Sequence, residues 1–362
     1  ELRHAERPLQ ASGVDIMGLS TLHNVRFAGM TSCVPRRILS NREDCPPKLR
    51  SERERLVRNI GIEQRRICAD WQCFSDLAFE ATERLLTELN WARDEVDALI
   101  IVTQSPDYIT PATAIVLQDR LRLAKTTIAF DVNLGCSGYP FGLQILGSMI
   151  TAGVVKKGIV LVGDKCATIS EPLFSDAGTA TALEFDPNAA PMYFDMNSDG
   201  SGYKAIIQPV GGHRQPIGLQ HLVPFRENED DPWKWPGAFQ LDGPAVLSFS
   251  TQQVPPSVNK LLDYAQVAKE SVDYFVFHQA NRMINETIRK KLGLPTEKVP
   301  TSLHDFGNTS GASLPVTMTV RIREALESTR NRLVLSGFGI GLSWGTCLLE
   351  IEGARFPDLI VS

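Results

Sequence analysis

The sequence predicts an α/β fold made of two diverged copies of one unit, and three observations carry that expectation. Five apolar runs, at 98–102, 127–132, 158–163, 273–277 and 332–336, have the length and composition of buried strands. Stretches 76–90, 112–122, 138–152, 281–292 and 313–327 read as helices, so that strand and helix alternate. The alternation predicts a predominantly parallel arrangement with both faces of each sheet covered. The third observation is repetition. Asp94-Glu95-Val96-Asp97 leads into Ala98-Leu99-Ile100-Ile101-Val102 and ends in Thr103-Gln104, while Glu270-Ser271-Val272-Asp273 leads into Tyr274-Phe275-Val276-Phe277 and ends in His278-Gln279. From Asp97 it is 39 residues to Cys136, and from Asp273 it is 35 to Asn308. Another 27 residues reach Gly163 and another 29 reach Gly337, each at the end of a further apolar run. Cys136, His278 and Asn308 therefore sit at the ends of matching elements.

From the N-terminus, residues 1–20 read as a tail: they open on Glu1, are rich in charge and lack the apolar region of a secretory signal. Residues 21–190 make the first half and 241–354 the second, joined by a connecting excursion over 191–240. The wider stretch from Asp186 to Gly243 is rich in Gly, Pro, Asn and Trp and carries the acidic run Glu227-Asn228-Glu229-Asp230-Asp231. Such a composition fits a surface linker or a loop that shapes a substrate site. Gly138 to Val155 is the most apolar long stretch and approaches the length of a membrane span. Pro140, Gln144 and glycines at 138, 142, 147 and 153 make a buried helix the better expectation.

A chain of 362 residues with 43% hydrophobic content is long enough for two core-forming units. Its net charge of -5 argues against a general nucleic-acid binder. Seven cysteines, an odd number without CxxC or Cys/His ligand spacing, favour free thiols in a reducing, cytoplasmic setting and no metal site.

Cys136 lies between a strand ending near Val132 and a helix beginning about Gly138. A thiol there meets the unpaired N–H groups and dipole of a helix N-terminus, which favour thiolate. Gly135, Ser137 and Gly138 permit a sharp strand-to-helix turn that exposes the sulfur. The competing reading is a buried structural cysteine. His278 closes a strand at the end where α/β sheets open onto clefts, although a lone histidine there is more often structural. Asn308 lies in the turn Gly307-Asn308-Thr309-Ser310-Gly311, which backbone geometry alone would explain. The duplication lets all three converge. The glycine-rich run Gly337-Phe338-Gly339-Ile340-Gly341-Leu342-Ser343-Trp344-Gly345 lacks a nucleotide-binding spacing. It reads as a structural turn or as a source of N–H groups for an oxyanion hole.

The motifs Cys136-Ser137-Gly138, His278-Gln279-Ala280-Asn281, Gly307-Asn308-Thr309-Ser310-Gly311-Ala312-Ser313 and the glycine-rich ending together resemble β-ketoacyl-acyl-carrier-protein synthase III. Gly61-Ile62-Glu63-Gln64-Arg65-Arg66 and Ser105-Pro106-Asp107-Tyr108-Ile109-Thr110-Pro111 look like that family's early motifs, so the likeness runs from about Val25 to Glu350. The resemblance implies a thiolase-like five-layer αβαβα fold built from two duplicated halves, and a homodimer. It implies that Cys136 takes an acyl group from a thioester, that the backbone N–H groups of Cys136 and Ile340 meet the oxyanion, and that His278 and Asn308 assist decarboxylative condensation with malonyl-acyl carrier protein. No cofactor is implied; acyl-CoA and acyl- or malonyl-carrier protein are substrates. Two departures concern the primer. Arg55 and Asn59 stand where acetyl-CoA-using members commonly have Trp and Arg, and the segment from Gly163 to Asp176 looks shorter than in those enzymes.

Thr110 falls where short-chain members place a phenylalanine from the partner subunit into the acyl pocket, which suggests a longer or branched acyl group. Arg282, Arg289, Lys290 and Lys291, on the helix after His278, are either a solvated face or a docking patch for the acidic carrier protein. Alternatives to the condensing enzyme are an acyltransferase to an oxygen or nitrogen nucleophile, a type III polyketide-synthase-like activity and a non-catalytic partner subunit.

Overall fold

The computed structural model describes residues 18–45, 50–169, 171–224, 226, 235 and 237–362. Most of the expected tail and the acidic run 227–231 lie outside them; Leu19 and Ser20, expected in the tail, begin the first strand.

In chain order the first half comprises β1 (Leu19–Leu22), β2 (Val25–Val34), β3 (Ile38–Ser40), α1 (Arg50–Ile60), β4 (Gln64–Arg66), α2 (Phe74–Leu89), β5 (Ala98–Val102), α3 (Thr113–Arg120), β6 (Ile128–Val132), α4 (Gly138–Thr151), β7 (Lys157–Asp164), β8 (Ala177–Phe185) and β9 (Met192–Ser198). The second comprises β10 (Ile206–Ile207), β11 (Gln240–Leu241), α5 (Gly243–Ala265), β12 (Tyr274–Phe277), α6 (Arg282–Lys291), α7 (Leu303–Phe306), α8 (Ser313–Thr317), α9 (Arg323–Ser328), β13 (Asn331–Gly339), β14 (Ser343–Ile351) and β15 (Ile360–Val361). Two large sheets form, in the orders β15-β2-β8-β7-β5-β6 and β1-β9-β14-β13-β12.

Side-chain alternation along the strands builds the layers. Ile100, Val102, Val160 and Val162 of one sheet and Leu333, Leu335, Cys347 and Leu349 of the other pack on the two sides of Tyr139, Leu143, Leu146 and Ile150 of α4, with Leu314 of α8 beside them. The α4 residues recur at helical spacing, so the most apolar stretch of the chain is the middle layer, buried between sheets. The outward neighbours Leu99, Ile101, Ile159 and Leu161 are covered by Phe74, Leu77, Ala81 and Leu85 of α2, and by Leu117 of α3. Phe275, Phe277, Val334 and Leu348 are covered by Val258 and Leu261 of α5 and by Ile284 and Ile288 of α6. The result is the five-layer αβαβα stack. Among the described residues no helix is long and apolar enough to cross a membrane.

The sheets are mixed, which corrects the expectation of a predominantly parallel layout. β5 runs parallel to β6 and β7, and β12 to β13, but β7–β8, β2–β8, β13–β14 and β14–β9 are antiparallel. The antiparallel strands β8 and β14 are rich in Gly, Thr and Ala or carry Ser and Trp, so no apolar run marks them. β9 lies inside the stretch expected as a connection, yet it pairs with both β1 and β14. The helix expected over 313–327 is broken, because its middle turn, Met318–Ile322, widens to π geometry between α8 and α9.

Candidate active site

Cys136 is held where β6 turns into α4, by backbones that only glycine lets approach. A Cβ at Gly138 would lie 2.4 Å from Val102, which seats the start of α4 on β5. A Cβ at Gly339 would lie 2.7 Å from Cys136 Cβ, and one at Gly337 would lie 2.9 Å from the Cys136 carbonyl oxygen. The end of β13 therefore presses against the thiol from the second sheet. The N–H groups of Ile340 and of Cys136 itself and the Ser310 hydroxyl act to lower the thiol. Burial, and then the charge of Asp164, outweigh these donors and push the thiol up to about 11. That shift runs against the lowering a helix N-terminus alone would give.

His278 follows β12, its N–H donating to the Ser336 carbonyl at 2.8 Å. Its ring stands edge-on to Phe338, with centroids 5.4 Å apart, and its Nδ1 is 2.7 Å from Ser313 Oγ. That hydroxyl also accepts the Gln279 N–H at 3.3 Å. Burial lowers the imidazole to about 3, opposed by a hydrogen bond with the Ser310 carbonyl, so the ring is neutral near pH 7. Asn308 is fixed from both sides of its backbone: its N–H donates to the Leu173 carbonyl at 3.1 Å and its carbonyl accepts the Ser175 N–H at 2.9 Å. Asn308 Oδ1 accepts the Ser310 N–H at 2.9 Å, which leaves the amide NH₂ as the group to donate.

The three side chains line one cavity of about 1030 Å³, together with Gln104, Asp164, Ser310 and Ile340. Its far wall is apolar and comes largely from the excursion: Ile206, Val210, Ile217, Leu222, Trp235 and Phe239. Among the described residues no group of three or more His, Cys, Asp or Glu side chains could hold a metal ion.

Other expected site residues are placed differently. Thr110 is exposed on the loop between β5 and α3 and does not line the cavity of its own chain. In the basic set on α6, Arg289 is engaged by Glu286 and the Leu294 carbonyl, and Lys291 by the Thr251 carbonyl. Of the four charges only that of Arg289 meets a carboxylate among the described residues. Arg282, bonded to the Arg58 carbonyl, Lys290 and Lys291 are exposed. Sequence reasoning missed Asp164, Ser310 and Ser313. Asp164 ends β7 at the strand edge where Gln104 and His278 follow theirs, and that position was the available signal.

Two family models and several known proteins match the chain. Residues 130–200 match the family model for 3-oxoacyl-[acyl-carrier-protein] synthase III, and residues 262–351 match the model for its C-terminal part. A Rhodopirellula baltica β-ketoacyl-[acyl-carrier-protein] synthase III is 32% identical over 358 residues, covering 92% of this chain and all of the relative. A Clostridium perfringens synthase III is 30% identical, covering 91% of this chain and all of the relative. The solved 3-oxoacyl-(acyl-carrier protein) synthase from Burkholderia xenovorans superposes with a TM-score of 0.87 at 36% identity, over 95% of this chain and 99% of that one.

Proposed function

We propose a two-step reaction for this cleft from the premise that these relatives establish: the chain belongs to the 3-oxoacyl-[acyl-carrier-protein] synthase III family. It is a condensing acyltransferase of fatty acid synthesis with the thiolase-like fold. The observation that carries the mechanism is the convergence of one thiol, two backbone donors, a neutral imidazole and an amide on a single cavity. Cys136 attacks an acyl thioester, and the N–H groups of Cys136 and Ile340 receive the oxyanion of the tetrahedral intermediate. The acyl group then waits on sulfur. Malonyl-carrier protein follows, with its thioester oxygen between His278 and the Asn308 amide. As CO₂ leaves, that oxygen gains the enolate charge and both donors stabilise it. The enolate carbon attacks the acyl-cysteine and frees the thiol.

The neutrality of His278 suits this role, because its remaining proton is donated and not exchanged. Ser313 Oγ accepts the Gln279 N–H and lies 2.7 Å from Nδ1, which supports a reading in which its hydrogen goes to Nδ1 and the imidazole proton is on Nε2. The apolar wall from Ile206 to Phe239 supports an acyl chain longer than acetyl. Arg282 bonds the Arg58 carbonyl of α1, and the exposed basic surface that it and Lys290 contribute would receive the acidic carrier protein. The seven cysteines are unpaired, in keeping with a cytoplasmic setting.

The two half-reactions separate by mutation. Cys136→Ala should abolish acyl loading, read by intact mass. His278→Ala should load but release CO₂ from malonyl-carrier protein at least roughly a hundredfold more slowly, and release by wild type should slow with added salt. Undiminished decarboxylation in the His278 variant contradicts the assignment.

A further inference from the structure

The two N–H groups that receive the oxyanion come from different halves of the molecule: Cys136 lies in the turn between β6 and α4, and Ile340 in the turn between β13 and β14. A hole built across two sheets serves only if both turns are held in register. Backbone packing brings them together. A Cβ at Gly337 would lie 3.1 Å from Ser137 Cα, and one at Gly339 would lie 2.7 Å from Cys136 Cβ. β13 ends at Gly339, however, so Ile340 lies one residue beyond the strand. Two devices hold the turn past that point. Leu342 is tied to the residue after β9: its N–H donates to the Asp199 carbonyl at 3.1 Å, and its carbonyl accepts the Asp199 N–H at 2.8 Å. Ile340 is tied by a side chain, because Ser343 Oγ donates to the Ile340 carbonyl at 2.8 Å. The same hydroxyl is 2.7 Å from Ser137 Oγ.

Counting hydrogens gives this chain a direction. A carbonyl can only accept, so the single hydroxyl hydrogen of Ser343 goes to Ile340, and between the two serines Ser137 is then the donor. Both hydroxyls are buried. The chain therefore starts on the residue next to the nucleophile in sequence, crosses between the two halves and ends on the residue that supplies the second oxyanion donor. Donation from Ser137 polarises the Ser343 hydroxyl and strengthens its hold on the carbonyl.

We propose that Ser343, backed by Ser137, is a positioning residue that fixes the orientation of Ile340 and with it the spacing of the two oxyanion donors, an inference that rests on the oxyanion reading above. Neither serine lines the cavity, so both act through the backbone they hold and not on the substrate. No proton or electron pair moves along the chain. Its demand falls on particular steps. Acyl loading and the attack of the enolate on the acyl-cysteine both build an oxyanion in this hole, whereas loss of CO₂ from malonyl-carrier protein places its charge between His278 and Asn308. Reactions that share one cleft should therefore respond differently when the chain is cut.

The test compares wild type with Ser343→Ala, which frees the Ile340 carbonyl, Ser343→Thr, which keeps a hydroxyl, and Ser137→Ala, which removes only the donor behind it. Three rates are read: acyl loading from octanoyl-CoA by intact mass, CO₂ release from malonyl-carrier protein, and alkylation of Cys136 by iodoacetamide, which displaces iodide and builds no oxyanion. Ser343→Ala should load at least roughly tenfold more slowly, with CO₂ release and alkylation unchanged. Ser343→Thr should restore loading, and Ser137→Ala should fall between. Loading that is unchanged in Ser343→Ala, or all three rates falling together as a general loss of structure would give, overturns the proposal. If Ser343→Ala does not fold, Ser137→Ala carries the comparison and must slow loading alone. Affinity for octanal separates this inference from the functional reading. The thiol adds across its C=O bond, sulfur to carbon and proton to oxygen, and that oxygen then accepts from the same two N–H groups. Binding should weaken in Ser343→Ala. A wild type that captures octanal in this Ser343-dependent way, yet takes no acyl group from thioesters, would sink the functional reading and leave the positioning role standing; octanal affinity indifferent to Ser343 would overturn the positioning role itself.

Discussion

His278 carries a measurable consequence of being buried and neutral. In the unfolded chain its pKa returns to the ordinary value near 6.5, whereas in the fold it lies at about 3. Between those values the unfolded state binds a proton that the native state refuses, so stability is present above about pH 6.5 and is lost as pH falls toward 3. The slope from this group is at most about 1.4 kcal/mol per pH unit. His278→Asn, which cannot titrate, should show a shallower loss of urea resistance between pH 6.5 and 4 than wild type; parallel curves would contradict a neutral buried ring. Cys136, His278 and Asn308 were legible because a repeat of spacing set each at the end of a matching element. Asp164 was not, because the copies diverge there. The residue after the strand-end glycine is Asp164 in the first copy, beside the thiol, and Phe338 in the second, edge-on to the imidazole. Ser310 and Ser313 sit in a turn whose composition already satisfies backbone geometry, so nothing in sequence marks them as partners.

At the scale of elements, the strands that were legible are the short, uniformly apolar ones such as β5, all five residues of which are buried. Those missed form the antiparallel flanks, where Gly, Thr and Ala replace the aliphatic run. β6 ends its sheet without a further partner among the described residues, and Ile128 on it is 39% exposed. α3 packs against β6 and leaves Ile115 exposed, as the preceding loop leaves Tyr108 and Ile109. An exposed edge bordered by four large apolar side chains is an open invitation to pairing. We infer that two copies join along β6, which would also bring each Thr110 loop to its neighbour, in keeping with the homodimer implied by resemblance. Ile128→Asp should convert a dimer to monomer in sedimentation without unfolding it; a wild-type monomer, or a variant that stays dimeric, would contradict this.

For the whole molecule, the five layers explain why the chemistry lies where it does. The sheets pack on either side of α4, so the turn after β6 and the glycine-rich end of β13 meet at one thiol. The duplication made that meeting legible. The depth of the cavity was not, because its apolar wall comes from 206–241, where side chains such as Ile206, Val210, Ile217 and Phe239 are separated by polar and turn residues and show no period. The same wall bears on substrate choice, since its side chains are largely apolar. The most direct test of the condensing reaction is therefore intact mass of the protein after exposure to a series of acyl-CoAs and acyl-carrier proteins, before and after malonyl-carrier protein is added. The account predicts an acyl adduct on Cys136, strongest with chains longer than acetyl, that disappears on addition of malonyl-carrier protein as a β-ketoacyl product forms. An adduct that persists in its presence, or leaves only by transfer to an oxygen or nitrogen acceptor, would contradict it.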